Sequence, residues 1–198
     1  MTVTEQAPAF TQGKVVISAT SIEQPGLLFS ISEATYSYDI SFEVGYWPVI
    51  SISDQKGNYM QVGPLDLADF PITIENIGNG LTYVQIEPEI PEGDWSIGID
   101  ASALLASSVG GGAGASKTVH LIIKPPYGFG FHNDIQNFKV KFTPYSPGRP
   151  ELVGITETRT YQVQSIGMSP GTGFEIPLIV VILVIIVFII YFYRWRKK

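Results

Sequence analysis

The eighteen residues from Ile176 to Tyr193, IPLIVVILVIIVFIIYFY, carry no charge and no Gly or Ala, and Arg194, Trp195, Arg196, Lys197 and Lys198 follow at once. At about 1.5 Å of rise per residue the run is about 27 Å long as a helix, close to the thickness of a bilayer's hydrocarbon core. A buried core helix or strand is the competing reading, but a run this long with no polar face has nothing to turn towards water. Fourteen Ile, Leu, Val and Phe residues lie between Leu178 and Phe192. Each favours insertion by about 0.3–0.6 kcal/mol at mid-bilayer depth, and several kcal/mol remain after discounting the ends. Residues 175–193 are therefore read as a transmembrane helix, lipid-facing because it lacks small-xxx-small spacing. Pro177 suits the first turn, where its missing N–H costs nothing. Tyr191, Tyr193 and Trp195 suit the headgroup level, and Arg194, Arg196, Lys197 and Lys198 form a basic stub that suits the cytoplasmic side. These eight residues are the expected anchor in a cell membrane crossed once, with the large N-terminal part extracytoplasmic.

That part is acidic. Eighteen Asp and Glu face twelve Lys and Arg over the whole chain, and four of the cations lie beyond Tyr193, so the remainder carries a net charge of −10. A domain of this sign repels nucleic acid, and its charge suits solubility, cation binding or a basic partner. The chain has no Cys, which removes disulfides, thiolate catalysis and Cys-based zinc sites together. Residues 1–13 are polar with no apolar h-region, so no signal peptide is visible. Two routes remain, a signal already removed or insertion by the tail, and the positive-inside bias favours the domain outside.

Along the chain, hydrophobic alternation and turn chemistry predict strands. Lys14 to Ala19 is the first, and Gln24-Pro25-Gly26 ends it. Tyr36, Tyr38, Ile40, Phe42 and Val44 alternate with polar residues over nine positions, which predicts a half-buried strand with one face on the core. Trp47 to Ser53 and Tyr59 to Val62 follow around a loop at Gln55-Lys56-Gly57-Asn58. Gly63-Pro64 and Phe70-Pro71 bracket a connection, a possible sub-boundary at 63–70. Ile72 to Asn76 and Leu81 to Glu87 flank Gly78-Asn79-Gly80, and Asn-Gly between alternating runs predicts a tight hairpin turn because both residues tolerate positive φ. Trp95 to Asp100, Lys117 to Lys124, Gln136 to Thr143 and Thr156 to Ser165 complete the strands. The Gly-rich stretch from Ala101 to Ser116 reads as a mobile loop or loose edge, Pro144 to Pro150 as a turn, and residues 166–174 as a linker. Short strands with Gly, Pro and Asn turns, and no soluble helix, predict an all-β fold: an Ig-like antiparallel β-sandwich over residues 14–165 plus one C-terminal transmembrane helix.

The run ITIENIGNGLTYVQIEPEIPEGDWSIGID resembles the Ig-like repeats of archaeal and bacterial cell-surface proteins, the alpha-galactosidase-associated and CARDB-like domains. The residues that carry the resemblance are Asn76, Gly78, Asn79 and Gly80, with Pro91, Gly93 and Trp95 opening the next strand. Lys117 to Pro125 resembles the strand after that, and Phe138 to Thr143 with Tyr161 to Gln164 the final hairpin. The resemblance covers about half the chain, from Phe70 to Ser165, and the glycines at Gly110 to Gly114 depart from it. It implies a surface setting with structural, adhesive or carbohydrate-related roles, and no catalytic residues to carry over.

No enzymatic chemistry is expected. Gly110 to Thr118, GGGAGASKT, nearly spells a phosphate loop, but Ser116 replaces the glycine before Lys117 and a strand follows where a helix is required. Glu87, Glu89, Glu92, Asp94 and Asp100 lack the spacing of a calcium loop and read as a solvated rim. His120, in a strand, and His132, in a loop, form no metal pattern. No carboxylate pair, GxSxG elbow or cofactor motif is selected. Trp47, Trp95 and the tyrosines are candidates for a sugar-stacking platform, although strand aromatics usually pack in cores. The expected role is a membrane-anchored surface protein contacting another surface or membrane protein through exposed edges or the Gly-rich loop; the alternative is a carbohydrate-binding or enzyme-accessory module.

Overall fold

A computed structural model describes residues 7–21, 34–89, 93–109, 113–170 and 175–196. In chain order the strands are β1 (Gln12–Thr20), β2 (Thr35–Glu43), β3 (Ile50–Asp54), β4 (Tyr59–Val62), β5 (Ala68–Asn76), β6 (Thr82–Pro88), β7 (Ser96–Gly98), β8 (Ser102–Leu105), β9 (Ser116–Lys124), β10 (Phe129–Ser146), β11 (Arg149–Val153) and β12 (Glu157–Pro170), followed by the helix α1 (Glu175–Trp195). A four-stranded sheet in the order β3-β5-β9-β7 faces a six-stranded sheet in the order β4-β12-β10-β6-β8, with β11 added to β10. All pairings are antiparallel except β12 with β4. The result is an Ig-like β-sandwich with one long apolar C-terminal helix, as the alternation predicts.

The core is the inner face of each sheet. Ile72 and Ile74 of β5 and Val119, Leu121 and Ile123 of β9 meet Val84 of β6, Phe138, Val140 and Phe142 of β10, and Tyr161 and Val163 of β12, all fully buried. Their period of two follows from the pleat, which sends alternate side chains to one face. Tyr161 is the largest of them; its ring packs 5.2 Å from Phe70 and its hydroxyl donates to Asp54 Oδ1 at 2.6 Å. Core residues before and after the Gly63–Phe70 stretch belong to one cluster.

Several expectations are corrected. Phe70 and Pro71 lie inside β5, with Phe70 in the core. Pro71 is tolerated because its carbonyl faces the β3 side, where it accepts from Gln55 N–H just past the ladder's last pair. Its missing N–H points the same way and deprives no strand. The small-residue stretch before the glycines holds β8, an edge strand not expected from the sequence, which buries Ala103 and Leu105. The turn expected over Pro144 to Pro150 is present but confined to Pro147-Gly148, between the end of β10 and the start of β11. His132 is in β10, not a loop, and β12 runs through Pro170, into what reads as linker. Gln24-Pro25-Gly26, Pro91 and most of the glycine run lie outside the described residues.

The largest correction concerns β2. Its apolar alternation does not face the core: Tyr36 and Tyr38 are 76% and 71% exposed, and among the described residues β2 pairs only with β1, in a separate two-stranded ribbon. The turn at Gly78-Asn79-Gly80 differs in kind too. It joins β5 of one sheet to β6 of the other, so it is an arch over the end of the sandwich and not a hairpin.

Candidate functional site

The ribbon and the arch form one structural unit. The register pairs Gly13 with Phe42, Val15 with Ile40, Ile17 with Tyr38 and Ala19 with Tyr36, so these eight residues share one face. The opposite face holds Lys14 and Asp39, whose ion pair spans 2.7 Å, and the Thr20–Thr35 hydroxyl pair. The ribbon is thus amphipathic, and its apolar face is uncovered, with Ile17 54% exposed beside the two tyrosines. The Phe42 ring lies across Gly13, where a Cβ would fall 2.1 Å from it, so any side chain at residue 13 would displace the ring. Each ribbon strand has one further edge with no strand beside it among the described residues.

Asn79 holds the root of the ribbon. Its Oδ1 accepts from Trp47 N–H at 2.8 Å, its Nδ2 donates to Gly45 O at 2.9 Å and Ala7 O at 3.2 Å, and its carbonyl accepts from Ala9 N–H at 2.8 Å. One buried amide therefore ties the segment entering β1 to the segment leaving β2. Phe10 N–H donates to Val44 O at 2.8 Å and Val44 N–H donates to Thr11 O at 2.9 Å, closing the ring above it. Phe10 has a left-handed backbone (φ 62), a strain of about 1–2 kcal/mol for a non-glycine residue. The ring of Phe10 stacks on Tyr46 at 5.9 Å, with the Arg149 guanidinium 4.3 Å above it, and Arg149 also pairs with Glu43 at 3.2 Å. Burial pushes the Tyr46 phenol above its ordinary range, offset in part by its bond to Thr82.

Asn76 braces the arch itself. It is fully buried, its Nδ2 donates to Gly80 O and Ala106 O at 2.8 Å each, and its Oδ1 accepts from Gly78 N–H at 3.0 Å. Gly78 and Gly80 do not adopt positive φ. They are glycines because of close approach: a Cβ on Gly78 would sit 2.2 Å from Trp47 O, and one on Gly80 2.9 Å from Tyr46 and Ala9. The sequence motif is real, but its work is to seat residues 7–10 and 45–49 on the end of the sandwich.

This pole lies opposite the helix. Tyr83, just after the arch, pairs with Tyr145 near the C-terminal end of β10, whereas Phe129 at its other end pairs with Pro170, five residues before α1. The eighteen residues of β10 span about 56 Å at roughly 3.3 Å each.

The remaining sequence candidates are not brought together. Glu89 pairs with Lys141 at 3.2 Å and Lys139 at 3.9 Å, and Asp100 with Lys117 at 3.5 Å. His120 meets Asp69 at 2.8 Å on the outer face, far in register from His132. No cluster of three His, Cys, Asp or Glu suited to a metal occurs among the described residues. Trp95 packs edge-on against Phe138, 5.4 Å between centroids, and Trp47 stays half exposed at the ribbon root. Pro177 falls in the first turn of α1; Tyr191, Tyr193, Arg194 and Trp195 occupy its last turns, with Arg196 just beyond, and Lys197 and Lys198 lie outside the described residues. The 177–195 span has mean hydropathy 2.7 and none of it is buried against the rest of the chain, so it is long and apolar enough to cross a membrane.

No family model matches this chain, and no curated protein matches it either. Among solved structures it is similar to the ASH / PapD-like domain of human CEP192 (PapD-like domain 7), with 12% identity and a TM-score of 0.41 over 61% of this chain and 85% of that one. The strand pairing described above, and not this likeness, defines the sandwich.

Proposed function

We propose that this chain is a single-pass membrane protein whose acidic sandwich stands outside the membrane and presents the β1–β2 ribbon to another surface or membrane protein. The observation that carries the reading is the ribbon's uncovered apolar face, with Ile17, Tyr38 and Tyr36 in one row at the pole far from the helix. An isolated two-stranded ribbon is marginal in water, and such a face together with open strand edges suits an extended partner segment that is apolar at alternate positions. The resemblance of residues 70–165 to surface-protein repeats supports the extracytoplasmic setting, as do the cations after Tyr193.

The test is capture of a stoichiometric partner from native membranes by the full chain and by an Ile17→Asp/Tyr38→Asp variant, with protease treatment of intact cells bearing a tag before Lys14. The expected result is one partner lost with the variant, and a tag removed by protease. A partner retained by the variant sinks the ribbon assignment; a protected tag sinks the topology.

A second reading rests on a shallow groove between β6, β10 and β11. Tyr83 and Tyr145 form its floor, 5.1 Å apart, with Pro147, Pro150 and Val153 at the side. Aromatic floors of this kind stack on sugar rings, so a carbohydrate ligand is the alternative, tested by polysaccharide binding of wild type against Tyr145→Ala.

A further inference from the structure

The end of the sandwich nearest the helix carries its own apolar face. On the outer side of the six-stranded sheet, Phe129, Phe131 and Ile135 of β10 share a face with Ile166 and Met168 of β12, and Phe131 pairs directly with Met168. Phe129, Phe131 and Met168 are 56%, 67% and 71% exposed. The tip is paired to its last residue, Phe129 with Pro170. On the opposite side His132 stitches it together, with Nε2 2.9 Å from Gly128 O and Nδ1 3.4 Å from Asp134. Pro64 packs against Gly167, whose φ of +141 a side chain would not adopt readily.

Charge singles this end out. Although the chain before Arg194 carries eighteen acids and eight bases, no Asp, Glu, Lys or Arg occurs from residue 125 to 133 or from 160 to 174. Those two stretches form the strand ends beside the helix, and Glu175 follows only five residues after Pro170. A chain step is at most about 3.6 Å, so Pro170 lies within about 18 Å of the start of α1. With that helix in a bilayer, the tether keeps the phenylalanine tip within reach of the headgroup layer. Uncharged aromatic side chains favour that layer, while ionised side chains lose hydration on entering it.

We propose that Phe129, Phe131 and Met168 form a membrane-docking face that seats the sandwich on the bilayer's outer interface and so holds the ribbon away from it. The inference rests on the helix spanning the membrane. The occupant is the lipid interface; a second copy of the chain is the competing occupant.

Because the chain has no Cys, single nitroxide labels report position cleanly. The full chain is reconstituted in phosphatidylcholine vesicles with Phe131→Cys, Met168→Cys, Ile155→Cys or Ile185→Cys. Ile155 is 86% exposed at the far end of β10 and β12, and Ile185 lies within α1. Labels at 131 and 168 should show an oxygen-to-nickel-complex accessibility ratio several-fold above that at 155, approaching that at 185. Adding Phe129→Asp and Phe131→Asp should return the label at 168 to the aqueous value. Aqueous labels at 131 and 168 with a lipid-exposed label at 185 overturn the docking and leave the span intact. An aqueous label at 185 overturns both. Dipolar broadening with aqueous accessibility assigns the face to a second copy and also overturns the proposal.

Discussion

Replacing Asn79 by alanine should open the ribbon root while leaving the sandwich closed. The side chain makes three hydrogen bonds, to Trp47 N–H, Gly45 O and Ala7 O, and is only 7% exposed. At about 0.5–1.5 kcal/mol net for each, the loss is about 2–4 kcal/mol, since groups left unpaired at a buried junction recover little from water. None of the three partners belongs to the core cluster, so the loss falls on local opening. Dividing by about 1.4 kcal/mol per decade gives a root-opening constant raised roughly 30- to 1000-fold. The amides of Phe10 and Val44 report this without bias, because their acceptors, Val44 O and Thr11 O, are untouched by the substitution. Native-state hydrogen exchange on the full chain should show their protection falling by that factor while Ile72, Leu121 and Val140 keep theirs. Unchanged protection at Phe10 and Val44 would refute the assignment of Asn79 as the fastening. An equal fall at Ile72 and Val140 would show that root and core open together.

Gly78→Ala should cost about 3 kcal/mol, because its Cβ meets the Trp47 carbonyl and the Val49 nitrogen, backbone atoms that cannot turn aside; denaturant titration measures it. Ser165→Ala should stabilise the fold by about 1 kcal/mol, since the buried Ser165 hydroxyl has no hydrogen-bond partner among the described residues. A lower denaturation midpoint would contradict it. Burial and the neighbouring Asp54 carboxylate raise the Tyr161 phenol far above its ordinary value, and burial raises Tyr46. Below the unfolded value near 10 both states are protonated and this stabilisation is intact. Above it the unfolded state releases the proton first, so stability should fall by up to about 1.4 kcal/mol per pH unit for each group. Tyr161→Phe should flatten that alkaline slope, read from unfolding free energies between pH 9 and 11. Lys14→Ala should change stability by less than about 1 kcal/mol, because its pair with Asp39 is solvent-exposed.

Where burial and period agree, the sequence and the fold coincide. The alternating Phe138, Val140 and Phe142, and the Val119 to Ile123 run, are core strands in both. The misreadings have physical causes. Pro71 and Pro144 suggest breaks, yet each turns its missing N–H towards a place where the ladder has already ended. For Pro144 that side is marked by its carbonyl accepting from Gly154 N–H at 2.8 Å. β8 is only four residues long, Ser102–Leu105, and Leu104 beside the buried Ala103 and Leu105 blurs its alternation, so the pattern is too short to distinguish an edge strand from a loop. The asparagine motif was legible as residues and illegible as a role. Positive φ and close approach both select glycine, and only the distance from Gly78 to the Trp47 carbonyl decides between them.

The same ambiguity explains the ribbon. Period-two alternation records that one face of a strand leaves water, but not what it leaves water for. In β10 the facing sheet lies within this chain. In β2 the pattern from Tyr36 to Phe42 is as regular, and the only strand beside it among the described residues is β1, whose Val15 and Ile17 lie on the same apolar face. Among the described residues no second layer covers that face, and a buried asparagine, a left-handed Phe10 and a cation stacked on its ring fix the ribbon at the root. Under the proposed function that apolar face on a fixed ribbon is completed by a partner outside the chain, which makes the ribbon, and not the glycine run or the acidic rim, the place to test for one.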